Sequence, residues 1–277
     1  IVIRLIREEE VDVLLPLCEK SALGCRIGSA LLCYQGASFF DVWVQEDASG
    51  IQAILCRLDG AMTIVDIGKT GHPEQMAFCN AVGFSSLTAS SCSLKAMGLA
   101  PTTGGVSMAF PARTDKLPNI SPDCAGQNGE ASKALGSSPG ICWDASPRLY
   151  YPILEQCQGD GIQLPPFDTW YVDCSHRMRR GWMRGGIVRE NNVDAGCILA
   201  VETPHAALIT GVAVLPRFRG NGMGKRLVSS MLSSLTAEHK TCFLLCRPGL
   251  TDFYRSLGFQ PSGHWASALT ASMEVPL

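Results

Sequence analysis

The sequence AALITGVAVLPRFRGNGMG occupies residues 206–224 and joins an apolar run to a glycine-rich loop. Residues 206–215 are apolar on both alternating faces, which is typical of a central strand covered on each side. After Gly222, apolar residues recur at helical spacing: Met223, Leu227, Val228, Met231, Leu232 and Leu235. We therefore predict a buried strand, a glycine-rich loop and a long helix, in this order.

The loop from Arg219 to Gly224 is a candidate anion site. The first amides of a helix lack intrahelical partners, and the helix dipole places partial positive charge there. Spacing excludes two nucleotide-binding motifs. A Walker A loop needs Gly at Arg219 and Ser or Thr at Arg226, and a dinucleotide fingerprint needs Gly at Lys225. The pattern that remains is Arg-x-x-Gly-x-Gly.

A second motif, FYRSLGF, occupies residues 253–259 and follows one further predicted strand, Thr241–Leu245. Together with Arg-x-x-Gly-x-Gly, it resembles the GNAT superfamily of acyl-CoA-dependent N-acyltransferases, which carry a Tyr-x-x-x-Gly-Phe segment at this place. The resemblance covers about Tyr150 to Leu277. It implies a GNAT acyltransferase fold in the C-terminal half and, with it, a mixed α/β (α+β) sheet.

The resemblance also implies acetyl-CoA as co-substrate and no metal. Backbone groups of Val212 and Val214 are expected to pair with the pantetheine arm as an added strand would. Ala213 or its neighbour is expected to offer an amide to negative charge developing on the acyl oxygen. The pyrophosphate is expected on the amides of Arg219, Gly220, Asn221, Gly222, Met223, Gly224 and Lys225, assisted by the charges of Arg219 and Lys225.

Tyr254 matches the family's general acid, which protonates the departing thiolate. The alternative for Tyr254 is packing against the sheet with its hydroxyl on a backbone carbonyl. Many family members place a carboxylate beside the strand before the loop, but residues 206–215 contain none. Glu202 on the preceding strand is therefore our first candidate for the general base, and His205 is the second. The alternative for both is a solvated strand end.

The segment DTWYVDCSHR, residues 168–177, is a candidate wall of the acceptor pocket. We predict a strand at Trp170–Asp173, with Asp173 and His176 as polar contacts to the substrate. The alternative is that Trp170 and Tyr171 are core residues and that the following arginines, Arg177, Arg179, Arg180 and Arg184, form a solvated loop. The other elements predicted in this half are helices at Tyr150–Gln156 and Thr251–Leu257 and strands at Gly186–Val188, Cys197–Glu202 and from Phe259.

The chain is predicted to have two domains: residues 1–112, a linker at 113–147 rich in Gly, Pro and Ser, and residues 148–277. Strands are predicted in the first half at 1–6, 39–44, 51–58, 61–65 and, as a candidate, 105–110, with helices at 8–18, up to 32 and 73–82. Its segment FCNAVGF, residues 78–84, has two interpretations. It is either a decayed Tyr-x-x-x-Gly-Phe copy with Cys79 in place of Tyr254, or an ordinary helix end at Gly83, which we favour.

The first half lacks an Arg-x-x-Gly-x-Gly loop, and Gly68-Lys69-Thr70 lacks the upstream glycine of a phosphate loop. We therefore expect no CoA site there. Because tandem acyltransferases with one silent domain are known in the superfamily, the working model is a silent GNAT-like half that walls the acceptor site.

Composition limits the possible partners. A net charge of -2 with 17% charged residues argues against nucleic acid, and no apolar run reaches the roughly 20 residues of a membrane span. The 13 cysteines are scattered through apolar runs, which favours packing in a reducing cytoplasm over disulfides. Cys242 and Cys246 lack a second pair of metal ligands, so we expect no zinc. A monomer or a homodimer is expected.

The sequence thus predicts an N-acetyltransferase that moves an acetyl group from acetyl-CoA to a primary amine of a small molecule, amino acid or peptide. The amine is expected to attack the thioester directly in a ternary complex, where proximity supplies much of the rate. The alternative is a non-catalytic acyl-CoA sensor that has kept the loop and lost the chemistry.

Overall fold

The computed structural model describes residues 2–68, 71–111, 140–159 and 164–269, and its twelve strands in these ranges form one mixed sheet. The strands of the first half are β1 (Val2–Leu5), β2 (Phe40–Asp47), β3 (Gly50–Leu58), β4 (Ala61–Asp66), β5 (Ser86–Ser90) and β6 (Thr103–Phe110). Its helices are α1 (Val11–Cys18), α2 (Ala22–Tyr34), α3 (His72–Val82) and α4 (Ser91–Ala96).

The second half repeats this pattern. Its strands are β7 (Ile141–Trp143), β8 (Met183–Glu190), β9 (Val193–Glu202), β10 (Ala206–Val214), β11 (Thr241–Cys246) and β12 (Gln260–Leu269). Its helices are α5 (Pro147–Gln156), α6 (Phe167–Arg179), α7 (Met223–Ala237) and α8 (Thr251–Arg255). Each half runs through a first strand, two helices, three antiparallel strands, a helix, a parallel strand, a short helix and a last strand.

The two halves exchange their last strands. The sheet order is β1-β2-β3-β4-β5-β12-β6-β11-β10-β9-β8-β7. Strand β6 of the first half pairs with β11, β12 of the second half pairs with β5, and β6 and β12 pair with each other. The exchange joins both halves into one sheet.

Helices cover both faces of the sheet. In the second half, α5 and α6 pack on one face and α7 on the other. In the first half, α1 and α2 cover one face, and α3 and α4 cover the other. Helix α2 is shared, because it packs on β4 and also on β9, β10 and β11. It therefore brings the first half against the central strands of the second.

The strands and helices predicted around the glycine-rich loop are confirmed, as are β1 to β4, α1 to α3 and the candidate strand at 105–110. The preferred interpretation of residues 78–84 is also confirmed. Helix α3 ends at Val82, and Gly83 follows with a φ of 76°, a left-handed value that suits glycine. The alternative that placed Cys79 at the position of Tyr254 is wrong, because Cys79 lies on α3, the counterpart of α7.

The predicted strand at Trp170–Asp173 is wrong, because these residues lie in α6. The aromatic and β-branched residues there favour a strand locally. Tertiary burial at helical spacing outweighs that preference, since Trp170, Cys174 and Arg177 are buried while Val172 is 65% exposed. Asp168 in the first turn and Arg179 in the last suit the helix dipole. Strand β5 and helix α4 were not predicted.

Strand β7 pairs with β8 and lies inside the segment predicted as linker, 113–147. Part of that segment therefore belongs to the sheet, and residues 112–139 lie outside the described ranges. The predicted domain boundaries stay predictions. Among the helices of the described residues, none is both long enough and apolar enough to cross a membrane.

Candidate active site

The two parallel central strands of the second half separate partway along their length. Strands β10 and β11 are in register from Ala206 opposite Thr241 to Ile209 opposite Leu244. Beyond Ile209, β10 continues to Val214 and β11 to Cys246 without pairing to each other. A central gap opens between them, where backbone polar groups face no neighbouring strand.

A bulge in β10 directs its backbone into this gap. The register with β9 shifts between Thr210 and Ala213, where Gly211 has a φ of 56°. Leu215 donates its N–H to Ala195 of β9 at 2.9 Å. Because backbone groups alternate in direction along a strand, those of Ala213 also face β9, whereas those of Val212 and Val214 face the gap. This is the direction expected for Val212 and Val214, but the Ala213 amide points away from the gap.

The gap belongs to a central cavity of about 700 Å³. Strand β10 lines it from Leu208 to Val214, and β11 with the following residue lines it from Leu244 to Arg247. Helix α6 contributes Trp170, Asp173, Cys174 and Arg177. The first half contributes another part of the wall: Arg26, Ile27, Ala30, Cys56, Leu58, Ala61 and Thr63. The position of these residues agrees with the working model in which the first half walls the acceptor site.

Unpaired amides lie at the start of α7. The first backbone hydrogen bond at the start of this helix runs from the N–H of Arg226 to the carbonyl of Gly222, 3.0 Å away. The amides of Met223, Gly224 and Lys225 precede it and lack an intrahelical acceptor. Gly220 and Gly222 have φ angles of 84° and 72°, and no heavy atom lies within 4 Å of a Cβ added to either. The backbone of this loop therefore adopts angles that glycine allows, and the space beside it is open to a ligand.

A second cavity of about 260 Å³ lies at this helix start, lined by Glu190, Asn221, Gly222, Met223 and Arg226. Arg226 was not among the predicted site residues, although its place one turn into the helix adds a positive charge next to the loop. Lys225 is exposed and lines neither cavity. Its side-chain role stays a prediction.

Arg219 is partly used by the protein itself. Its Nε donates to the carbonyl of Val214 at 2.8 Å, and its Nη2 lies 3.7 Å from the Cys157 sulfur. The side chain thereby fastens the loop to the end of β10 and still lines the central cavity. The sequence predicted only an assisting charge; its contact with Val214 depends on a local fold that spacing does not reveal.

Tyr254 lies at the floor of the cavity, 7% exposed, on the short helix α8. Its hydroxyl has no hydrogen-bond partner within the part of the chain that the structure describes. The alternative with the hydroxyl on a backbone carbonyl is therefore not observed. Burial, and secondarily the nearby Cys246, raises the pKa of Tyr254 to about 12, so the hydroxyl keeps its proton at neutral pH.

Comparison with protein families places these features in a known context. Residues 183–261 match the model of the acetyltransferase (GNAT) domain. The chain contains a GNAT domain. The matched residues run from β8 into β12 and include the gap, the glycine-rich loop and Tyr254.

Solved structures share the fold of both halves. The chain is similar to a tandem GNAT protein from the clavulanic acid biosynthesis pathway, at 14% identity and a TM-score of 0.53, covering 96% of this chain and 97% of that one. It is similar to a GCN5-related N-acetyltransferase from Sphaerobacter thermophilus, at 14% identity and a TM-score of 0.57, covering 96% and 94%. A GNAT-family acetyltransferase from Colwellia psychrerythraea covers 97% and 99% at 9% identity and a TM-score of 0.50. At these identities the likeness shows a tandem GNAT fold. The comparison with curated proteins gave no match.

Glu202 does not lie in the cavity of the GNAT domain. It is 1% exposed at the end of β9, and its carboxylate binds Arg184, with the Nε 2.5 Å from Oε1, and Lys240. Both cations also contact Glu238. A buried carboxylate held by two cations cannot approach a substrate in the cavity. The structure therefore argues against Glu202 as the general base.

We predict that Glu202→Ala lowers the free energy of unfolding by about 3 kcal/mol, because it leaves Arg184 and Lys240 without their buried partner. Denaturant titration measures this loss. Acetyltransferase kcat of the folded fraction should stay within about twofold of wild type. A large loss of kcat with unchanged stability would restore Glu202 as a catalytic residue.

The second base candidate, His205, is exposed in the β9–β10 turn and does not line the cavity. His176 is also outside it, because its Nε2 lies 3.1 Å from the carbonyl of Cys33 and its ring stacks on Tyr34. Asp173 does line the cavity. Both of its hydrogen bonds, from Tyr34 and from Arg177 at 2.8 Å, end on Oδ1.

Arg177 is buried at 5% exposure, so its placement in a solvated loop is wrong. Its guanidinium contacts Asp173, the Ser29 hydroxyl at 3.0 Å and the face of Tyr34. These contacts fasten α6 of the GNAT domain to α2 of the first half.

Among the cavity-lining residues that the structure describes, Asp173 is the single carboxylate.

The counterpart of the gap in the first half is filled by side chains. Strands β4 and β5 pair only from Ala61 opposite Ser86 to Thr63 opposite Thr88. Beyond that point Asp66 accepts hydrogen bonds from Ser93 and from Gln75 at 3.0 Å, and it contacts His72. Neither cavity described above reaches these residues. The expectation of no CoA site here stays a prediction, and this filling supports it.

In the described ranges, no group of three or more His, Cys, Asp or Glu is placed to hold a metal ion.

Proposed function

We propose that the protein transfers an acetyl group from acetyl-CoA to a primary amine of a small molecule, amino acid or peptide. One observation carries the proposal. The gap between β10 and β11 leads to the open amides at the start of α7, and the cavity it belongs to is lined by Tyr254, whose hydroxyl has no partner in the described residues. A site of this kind combines a place for a diphosphate with a proton donor beside an open strand edge.

The residues present fit coenzyme A. The gap-facing backbone of Val212 and the N–H of Val214 offer strand-like pairing to an amide-containing arm, while the Val214 carbonyl accepts from Arg219. The amides of Met223, Gly224 and Lys225 offer a diphosphate site, with Gly220 and Gly222 leaving space for it. When bound, acetyl-CoA supplies a thioester carbonyl that an amine can attack. Arg219 holds the loop in place through Val214.

Three of the four cysteines that line the cavity bear on whether the acyl group passes through the protein. Burial raises the pKa of Cys56 to about 12 and also raises the pKa values of Cys174 and Cys246. Since the thiolate is the nucleophilic form, these thiols are poor acyl acceptors at neutral pH. This favours direct attack with both substrates in the cavity together and with Tyr254 donating a proton to the departing sulfur.

Asp173 replaces Glu202 as the candidate that receives the proton of the amine. Its Oδ2 has no partner within the described residues, and the side chain is 41% exposed. We predict that Asp173→Asn lowers kcat/KM about a hundredfold at neutral pH, because the acceptor arrives as an ammonium ion. The loss should shrink as the pH rises towards the pKa of the acceptor amine. Asn keeps an oxygen for Arg177, so the fold is expected to persist.

Asp168→Asn is the matched control for that substitution, because Asp168 lies on the same helix, is exposed and does not line the cavity. It should leave the pH profile unchanged. A loss in Asp173→Asn that is equal at every pH would assign Asp173 a structural role only.

The proposal as a whole is tested by thiol release from acetyl-CoA in the presence of a panel of primary amines. Release that depends on one class of amine is expected. The absence of a carboxylate on β10 keeps a second candidate function, an acyl-CoA sensor. Tight coenzyme A binding without turnover on any amine would favour the sensor.

A further inference from the structure

Arg26 is a cation of the central cavity that the acyl-transfer chemistry does not use. Arg26 lies on α2, where residues 22–25 and 27–31 are all buried, and it is the exposed residue in that stretch. The exposure is to the cavity, which Arg26 lines together with Ile27 and Ala30. Helix α2, which is otherwise buried over this stretch, thus presents one charged side chain to the central cavity.

Arg26 has no hydrogen-bond or ion-pair partner in the described parts of the chain. Burial lowers the pKa of Arg26, and the positive charge of Arg177 adds to the effect, with Asp173 acting in the opposite direction. Arg177 by contrast is satisfied by Asp173, Ser29 and the ring of Tyr34. A guanidinium that lines a cavity without a counter-ion offers its N–H donors to an anion that enters the cavity.

The position of Arg26 separates it from the CoA phosphates. Arg219 and Arg247 follow the ends of β10 and β11, where the open helix start of α7 also lies. Arg26 lies instead near α6, because Ser29, three residues further along α2, accepts a hydrogen bond from Arg177 of α6. This is the side of the cavity that the first half builds and where an acceptor would lie.

Resting on the acetyltransferase function proposed above, we propose that the acceptor amine carries a carboxylate and that Arg26 binds this carboxylate. A guanidinium pairs with a carboxylate through two parallel N–H···O bonds, so the side chain of Arg26 matches one negative charge. Asp173 provides a free carboxylate oxygen, Oδ2, for the ammonium end of the same molecule. The two side chains together suit a zwitterionic amino acid, and the silent first half supplies its specificity.

The kinetic test compares wild type with Arg26→Gln and Arg26→Lys over amino acids, their amides and O-phosphoethanolamine. For the preferred amino acid, Arg26→Gln should raise KM at least about tenfold with kcat changed little, and Arg26→Lys should recover part of the loss. Amides should be poor substrates for wild type and equally poor for Arg26→Gln. The affinity for coenzyme A and the melting temperature should not change, since Arg26 has no internal partner.

Arg180→Gln is the charge-matched control, because Arg180 is exposed at the end of α6 and does not line the cavity. It should behave as wild type. A weaker affinity for coenzyme A in Arg26→Gln would assign Arg26 to the cofactor and overturn the proposal. A preference of wild type for neutral amines or for O-phosphoethanolamine would overturn it as well.

A binding experiment keeps the proposal testable without turnover. N-acetyl amino acids and the matching N-acetyl amino amides are titrated into the full chain with coenzyme A present, and binding is followed by NMR. At least one acid should bind about tenfold more tightly than its amide in wild type and lose that advantage in Arg26→Gln. If no acid is preferred over its amide, the carboxylate site is wrong. If no amine releases thiol but the acids show this preference, the proposed transfer fails while the carboxylate site stands.

Discussion

Replacing Tyr254 by phenylalanine is expected to lower kcat about a hundredfold and to leave the affinity for coenzyme A unchanged. The hydroxyl lines the cavity, has no protein partner in the described ranges and keeps its proton because burial raises the pKa of Tyr254 to about 12. Removing it takes away the proton for the departing sulfur and no hydrogen bond of the fold. The free energy of unfolding should therefore stay within about 0.5 kcal/mol of wild type.

Tyr151→Phe is the matched control. Tyr151 is buried to a similar degree, at 9% exposure, but its hydroxyl donates to the carbonyl of Pro165 at 3.1 Å and it does not line the cavity. This variant should lose about 1 kcal/mol of stability and keep its kcat. Steady-state kinetics and denaturant titration on both variants give the comparison. Equal kcat in wild type and Tyr254→Phe would remove Tyr254 from the mechanism.

Gly222→Glu is expected to weaken coenzyme A binding at least about a hundredfold. The carboxylate would occupy the open space beside the first amides of α7 and repel the diphosphate, so two charge-assisted hydrogen bonds of about 1.5 kcal/mol each are the minimum loss. The φ of 72° at Gly222 adds about 1–2 kcal/mol of backbone strain to the fold.

Gly98→Glu separates these effects. Gly98 is exposed, has a φ of 76°, has open space around an added Cβ and lies after α4 in the first half. It carries the same strain and the same new charge away from both cavities. Its stability should fall as in Gly222→Glu, while its affinity for coenzyme A should match wild type. Similar affinities in the two variants would show that the start of α7 does not hold the diphosphate.

The sequence predicts the part of the site that one contiguous segment of the chain forms. The strand, loop and helix from Ala206 to Ala237 are set by apolar periodicity and by glycines at the helix start, and both signals are contiguous. The cavity wall could not be predicted in the same way. The wall contains Arg26 and Thr63 from the first half and Asp173 from the second, and the exchange of β6 and β12 joins these halves in one sheet. Hydrophobic periodicity does not show which distant strands pair.

Glu202 and Asp173 show why the sequence alone does not reveal which carboxylate reaches the cavity. The sequence presents Glu202 as a carboxylate near the loop, but its burial depends on Lys240, 38 residues away. Asp173 was placed on a strand because its neighbours Trp170, Tyr171 and Val172 favour one. Packing on α5 and β8 buries one face of that segment as a helix, and a hydrogen bond from Tyr34 of α2 holds Asp173 at the cavity.

The central claim is that the gap between β10 and β11 binds coenzyme A, and isothermal titration calorimetry of the wild-type chain with coenzyme A tests it most directly. We predict saturable heat with one coenzyme A per chain, because the corresponding gap of the first half is filled by Asp66, Ser93 and Gln75. Absence of heat, or two equivalent sites per chain, would contradict this account.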